Sequence, residues 1–246
     1  VKKIMIIFST ILFGLFSSGC FTTFETPEIK GIVLDAETGK PIEGAIVVAS
    51  WGRTYSGPGG QFGGKNFKEL RLKTDNKGAF IIPANKITNW VPYPFGQGGS
   101  FAMAIFTHGY KVKKFVFNEP QEFHRPKYNE FQGKKENGTI LFKLEEIKDP
   151  DTFEKNDLEI YGFVKEDLNY QLKDYIIFIS KFPTDKRVSS YRLGKGTLYE
   201  KMKNSELAIK EYEDIIKDFP GTDEAKEAKK RITRLKNINN TKNEKK

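Results

Sequence analysis

The period of the hydrophobic pattern changes once along this chain, and that change limits the folds open to it. Up to about residue 147, apolar residues alternate or run in short stretches punctuated by Gly, Pro, Asn and Asp. From Asp149-Pro150 to about Lys236 they recur every 3.6 residues. The first pattern suits strands with one buried face, the second helices with one buried stripe. Strands followed by helices, without interleaving, exclude a parallel sheet built on crossover helices. They predict an all-β module followed by a separate small all-α module.

Within the first module, strands are expected near 28–36, 44–51, 68–74, 79–84, 101–107, 110–118 and 138–146. About seven strands in this length fit a sandwich. The turns carry their own chemistry. Asp35 precedes Gly39 and Pro41, so an Asx acceptor stands before a glycine free to take positive φ. Asp75 and Gly78 repeat the arrangement before Phe80, and Thr107-His108-Gly109-Tyr110 makes a third reversal. If successive strands run antiparallel, the short connections (35–43, 75–78, 108–109) share one end. The long ones (52–67, 85–100, 119–137) then share the other.

Gly31-Ile-Val-Leu-Asp35, Thr38-Gly39-Lys-Pro41-Ile42, Gly44-Ala45, Thr74-Asp75, Gly78-x-Phe80, His108-Gly109-Tyr110 and Thr139-Ile140 follow one another in order. The run resembles the carboxypeptidase regulatory-like domain, a transthyretin-like β-sandwich. The resemblance spans 28–147, with 52–67, 85–100 and 119–137 as insertions. It implies an accessory, structural module with no peptidase activity of its own.

In the helical part, the segments Tyr175 to Pro183 and Tyr212 to Pro220 match at an interval of 37 residues. Each reads as a helix end stopped by proline, with N-caps expected at Thr184 and Thr222. Gly196, Tyr199, Ala208, Tyr212 and Pro220 together resemble a tetratricopeptide repeat. That pattern's Trp and Leu places hold Arg192 and Lys195, and Gln171 stands where the first copy needs Ala. Ala208, Tyr212, Ile215, Ile216 and Phe219 make one apolar face, continued by Ala225, Ala228, Ile232 and Leu235. One good unit and one poor one leave apolar surface that needs another cover.

The beginning of the sequence has a different character. Lys2 and Lys3 precede residues 4–16, apolar apart from Ser9, Thr10 and Gly14, and Ser17-Ser18-Gly19 lead into Cys20. This is the export-signal pattern. The apolar run reaches roughly 20 Å as helix, short of the ~30 Å hydrocarbon core. Ser17 to Cys20 resemble the bacterial lipobox, with Ser17 in the place usually held by Leu. The resemblance implies cleavage before Cys20, diacylglyceryl attachment to its thiol and an anchor of two or more acyl chains. Phe21 and Thr22 follow in place of Asp, which implies outer-membrane sorting. Cys20 is the sole cysteine, so no internal disulfide forms.

The net charge of +9 is largely a C-terminal matter. Residues 226–246 hold nine Lys/Arg against Glu227 and Glu244. That points to a solvated basic tail over 238–246, and no nucleic-acid partner is expected of an exported chain.

Chemistry-bearing residues are sparse. The two histidines, His108 and His124, have no second ligand at metal spacing, so neither a metal nor a cofactor is expected. Gly59 to Asn66 nearly match the phosphate-binding loop, but Asn66 replaces the hydroxyl and a strand follows instead of a helix; an inter-strand loop is expected. The long connections carry Trp51 at their edge, then Tyr55, Phe62, Trp90, Tyr93, Phe95, Phe123, His124 and Tyr128. Loops clustered at one end of a sandwich commonly build recognition surfaces.

The expected layout is therefore a signal peptide (1–19), acylated Cys20 with a linker (20–27), a sandwich (28–147), a helical-repeat module (148–237) and a tail (238–246). The expected function is that of a non-enzymatic cell-envelope lipoprotein. It would be lipid-anchored at the outer membrane, facing the periplasm or the surface, and act as an adaptor or assembly component with an envelope protein partner. The alternative is a glycan- or cell-wall-binding lipoprotein using the aromatic loops.

Overall fold

The structure is a computed structural model that describes residues 19–57, 60–92, 96–117, 135–136 and 138–243. Strands arranged in sheets come first and five helices follow, as the change of period predicts. The strands are β1 (Gly19–Thr26), β2 (Ile29–Asp35), β3 (Ile46–Gly57), β4 (Gly60–Lys73), β5 (Ala79–Ile82), β6 (Asn85–Pro92), β7 (Gly96–Phe106), β8 (Lys113–Phe117), β9 (Lys135–Glu136) and β10 (Thr139–Leu144). The helices are α1 (Pro150–Val164), α2 (Leu168–Lys181), α3 (Val188–Lys201), α4 (Ser205–Asp218) and α5 (Asp223–Asn243).

The chain divides into two compact units. One takes the described residues up to Thr107 with Val112–Glu145; the other takes His108–Lys111 and Glu146 onward. The first unit holds two four-stranded sheets, β5-β2-β10-β9 and β4-β3-β7-β8, and the ribbon β1-β6. The pairings are antiparallel except β10 with β2, which is parallel. Alternation buries Ile29, Val33, Phe80, Ile82, Ile140, Phe142 and Leu144 on the first sheet. On the second sheet Val47, Ala49, Phe101, Met103 and Ile105 are buried. Phe115 of β8 meets Phe142 of β10 edge-on at 5.6 Å. The turns form as their chemistry dictates. Asp35 Oδ1 accepts from the Glu37 and Thr38 N–H groups, and Asp75 Oδ1 from those of Lys77 and Ala79. Gly39 and Gly78 take φ of 68° and 69°.

Several expectations are corrected here. The described chain has ten strands where about seven are expected. The described residues of 52–67 and 85–100 are strand rather than loop: β3 and β4 pair antiparallel with irregular register at Trp51/Gly52 and Thr54/Ser56, and β6 and β7 take the described residues of the second. The near-phosphate loop at Gly64-Lys65 lies inside β4. The glycines that suggest loops serve close approach instead. A Cβ on Gly99 of β7 would lie 2.1 Å from Phe24 Cγ of β1, so only glycine admits that ring. Residues 20–27 are not a linker, because β1 pairs with β6 along its whole length. Past residue 238 the chain is still helical, since α5 runs to Asn243. Its buried Ala225, Ala228 and Leu235 hold the helix in place, and Lys and Asn cost little to add.

In the second unit, α2 and α4 begin and end 37 residues apart. Their ends repeat in detail. Asp167 and Asn204 cap them by accepting from Tyr170 N–H and Leu207 N–H. Phe182 and Phe219 close them with φ, ψ of −126°, 55° and −130°, 55°. Thr222 caps α5 by accepting from Ala225 N–H at 3.2 Å. Thr184 does not cap α3, whose N-cap is Arg187 without a side-chain bond. Asp185 holds the position 37 before Thr222, and its carboxylate takes the Arg187 N–H at 2.9 Å. Two apolar clusters hold the unit: Ile147, Phe153, Phe178 and Val188 in one, and Ala208, Tyr212, Ile215, Ala225, Ala228 and Leu235 in the other. Among the described residues no helix is long and apolar enough to cross a membrane.

Candidate functional site

Cys20 lies in β1, opposite Val91 of β6. Next along the ribbon come the register pairs Phe21 with Trp90, Thr23 with Thr88 and Glu25 with Lys86. The Thr23 and Thr88 hydroxyls stand 3.2 Å apart, and Lys86 pairs with Glu25. On the opposite face Phe24 and Thr26 are buried. The Thr26 hydroxyl accepts from Trp51 Nε1 at 3.0 Å and is 3.4 Å from the Asn85 carbonyl to which it donates. The ribbon is thus fastened to β3 six residues beyond Cys20.

That hydrogen bond removes Trp51 from the expected recognition surface. Its ring is 0% exposed, tilted against Phe101 at 5.3 Å, with the Lys68 ammonium 5.0 Å from its centroid. The set of aromatic loop residues is further thinned by the strands. Tyr55, Phe62 and Trp90 sit on β3, β4 and β6 rather than on loops. Tyr93, Phe95, Phe123, His124 and Tyr128 lie outside the described residues.

The helical signature residues come together more closely. Gly196 on α3 admits the Tyr212 ring of α4: a Cβ there would sit 2.4 Å from Tyr212 Cε1. Ala208 and Tyr212 are fully buried in the second cluster, and Tyr199 packs against it. Pro220 lies outside this core, in the exposed turn after α4. The Tyr212 hydroxyl donates to Glu200 at 2.6 Å, and Arg231 and Arg234 also bind that carboxylate. Burial raises the Glu200 pKa, but the Tyr212 hydrogen bond and the two arginines outweigh it and hold the carboxyl below its usual range. On α1, Leu158 and Tyr161 are 74% and 58% exposed. Tyr161 stands 37 positions before Leu198, which is 3% exposed. A face covered on α3 is therefore open on α1.

One cluster in the second unit has no local sequence signal. His108 Nδ1 lies 2.7 Å from Asp174 Oδ1, and its ring stacks on Tyr170 at 4.0 Å. Asp174 is buried on α2. Burial pushes its carboxyl up, while the hydrogen bond and charge of His108 pull the other way. Asp157 on α1 is pushed up to about 6, first by burial, then by Asp174 and Glu154. Burial also raises the Tyr170, Tyr175 and Tyr191 hydroxyls. The one available clue is an acidic residue on the apolar face of each amphipathic helix: Asp174 and Glu211, 37 apart, are both buried. Glu211 pairs with Lys195 at 2.7 Å, so each acid has a cation-forming partner. Both read as buried, satisfied pairs within a helical core. Among the described residues no group of three or more His, Cys, Asp or Glu is placed to hold a metal ion.

No family model matches this chain, and no curated protein matches it. Among solved structures it is similar to the C-terminal domain of the shaft pilin spaA from Lactobacillus rhamnosus GG, at 12% identity and a TM-score of 0.21. That likeness covers 51% of this chain and 99% of the pilin domain. At that score it carries no argument about fold or role.

Proposed function

We propose that this chain is a non-enzymatic cell-envelope lipoprotein, anchored through Cys20, that acts as an adaptor or assembly component. In this reading the two four-stranded sheets form a carboxypeptidase-regulatory-like sandwich, and the helices form a short tetratricopeptide-like stack. The anchor holds the protein at the outer membrane, and the helical unit meets an envelope protein.

The observation that carries the adaptor role is the open face of α1. The second helices of the two hairpins, α2 and α4, are built alike, down to their caps, yet on the first helices Tyr161 is exposed where Leu198 is buried. In stacked helical repeats each unit covers its neighbour's apolar face, and an end face without a polar cap is a place for another helix. Leu158 and Tyr161, one turn apart, are two large side chains left in water at such an end.

The test is in-cell crosslinking and copurification with the wild-type chain and with Leu158→Glu/Tyr161→Glu. One stoichiometric envelope protein, lost from the double variant while its helical circular dichroism persists, supports the reading. Equal recovery with both forms sinks it.

A further inference from the structure

We infer that α1 pairs antiparallel with α1 of a second copy of this chain, through a seam made of Glu154, Leu158, Tyr161 and Lys165. This rests on the adaptor reading above and names the partner of the same open face.

The four residues follow at intervals of four, three and four, so they form one stripe along the helix, with the spacing of a coiled-coil seam. Lys165 belongs to the stripe because it closes α1 with helical φ, ψ of −55°, −29°. All four are exposed, while Phe153, Ile160 and Val164 are buried. The charges sit at opposite ends of the stripe. At its start, Asp151, Glu154 and Asp185 share the single guanidinium of Arg187, which leaves an excess of negative charge. At its end, Lys165 makes no ion pair among the described residues.

A stripe that reads acid, apolar, apolar, base is complementary to itself when turned end for end. In an antiparallel pair centred between Leu158 and Tyr161, Glu154 meets Lys165 of the second copy and Leu158 meets its Tyr161. Both contacts occur twice. A parallel pair would set Glu154 against Glu154 and Lys165 against Lys165, which repel. The contact is therefore two-fold and isologous, the commonest arrangement in homo-oligomers. Four side chains from each copy cover far less than the ~800 Å² per partner of a stable interface. The pair is thus weak in dilute solution and depends on the anchor, which holds both copies on one membrane and raises their effective concentration.

The test uses membranes of cells that make the full-length chain. A carbodiimide joins a carboxylate to an amine that it touches. Glu154 and Lys165 of one chain stand eleven residues apart, ~16 Å along the helix, so a link between them joins two copies. That link is the expected product, and it needs no variant. Two charge variants carrying different tags, Glu154→Lys and Lys165→Glu, then separate this pairing from any other. Each should fail to copurify with a differently tagged copy of itself, because like charges face each other twice. The two together should copurify as the wild type does, because opposite charges are restored at both contacts. Absence of the Glu154–Lys165 link overturns the inference, and so does self-association of either variant at the wild-type level. A different envelope protein captured through Leu158 and Tyr161, with no second copy, overturns the inference and leaves the adaptor reading standing. Capture of neither overturns both.

Discussion

Replacing Gly196 by alanine should destabilise the helical unit, although the same change usually strengthens a helix. In the interior of an exposed helix, Gly→Ala stabilises by up to about 1 kcal/mol. At Gly196 the new methyl would lie 2.4 Å from Tyr212 Cε1, and two further ring carbons stand at 2.9 Å. The ring has little freedom to retreat, because Tyr212 is 0% exposed and its hydroxyl is held by Glu200 at 2.6 Å. Forcing extra volume into such a core costs roughly 1–3 kcal/mol. The net loss should be about 1 kcal/mol, or a fall in Tm of roughly 4–8 °C for a unit of this size. Gly162 on α1 is the matched control, since a Cβ there meets nothing within 4 Å. Gly162→Ala should raise stability by as much as about 1 kcal/mol. The assay is thermal unfolding followed by helical circular dichroism on the full chain. If Gly196→Ala stabilises as much as Gly162→Ala does, the close packing of α3 on α4 is wrong.

Three further outcomes are expected. Asp157, whose folded pKa is about 6 against a usual 3.8, binds its proton more tightly in the folded state. Its share of stability is therefore present at acid pH and falls as pH rises from about 4 through about 6, by at most about 3 kcal/mol. Asp157→Asn should match the wild type near pH 4 and unfold at higher temperature above pH ~7; a constant offset across that range contradicts it. His108→Ala leaves the buried Asp174 carboxyl without its imidazole and should cost roughly 3 kcal/mol in chemical denaturation, whereas a loss under about 0.5 kcal/mol would mean the pair is not formed. Trp51→Phe removes the indole bond to Thr26 and should cost about 1–3 kcal/mol, while leaving retention on insoluble peptidoglycan unchanged; loss of retention with an intact fold would return Trp51 to a recognition role.

What the sequence made legible was local. The change of period at Asp149-Pro150 marks the passage from strands to helices, and β10 ends at Leu144 just before it. Asp35 and Asp75 act on N–H groups within four residues of themselves, so their turns could be read directly. The interval between Phe182 and Phe219 likewise fixed the ends of α2 and α4. Distant pairings left no such trace. β1 pairs with a strand that begins 59 residues after its own end, so its Phe-Thr-Thr-Phe stretch reads as a linker until β6 is beside it. Gly99 looks like a loop residue because the Phe24 ring that requires it comes from another strand. Trp51 reads as available for a ligand until Thr26 accepts its indole N–H. His108 and Asp174 are 66 positions apart, and nothing near either residue announces the other.

The anchor is tested most directly by mass spectrometry of the mature N-terminal peptide recovered from cell membranes. The account predicts a chain that begins at Cys20 and carries a diacylglyceryl group on its thiol. A chain that keeps the residues before Cys20, or whose Cys20 bears a free thiol, contradicts it.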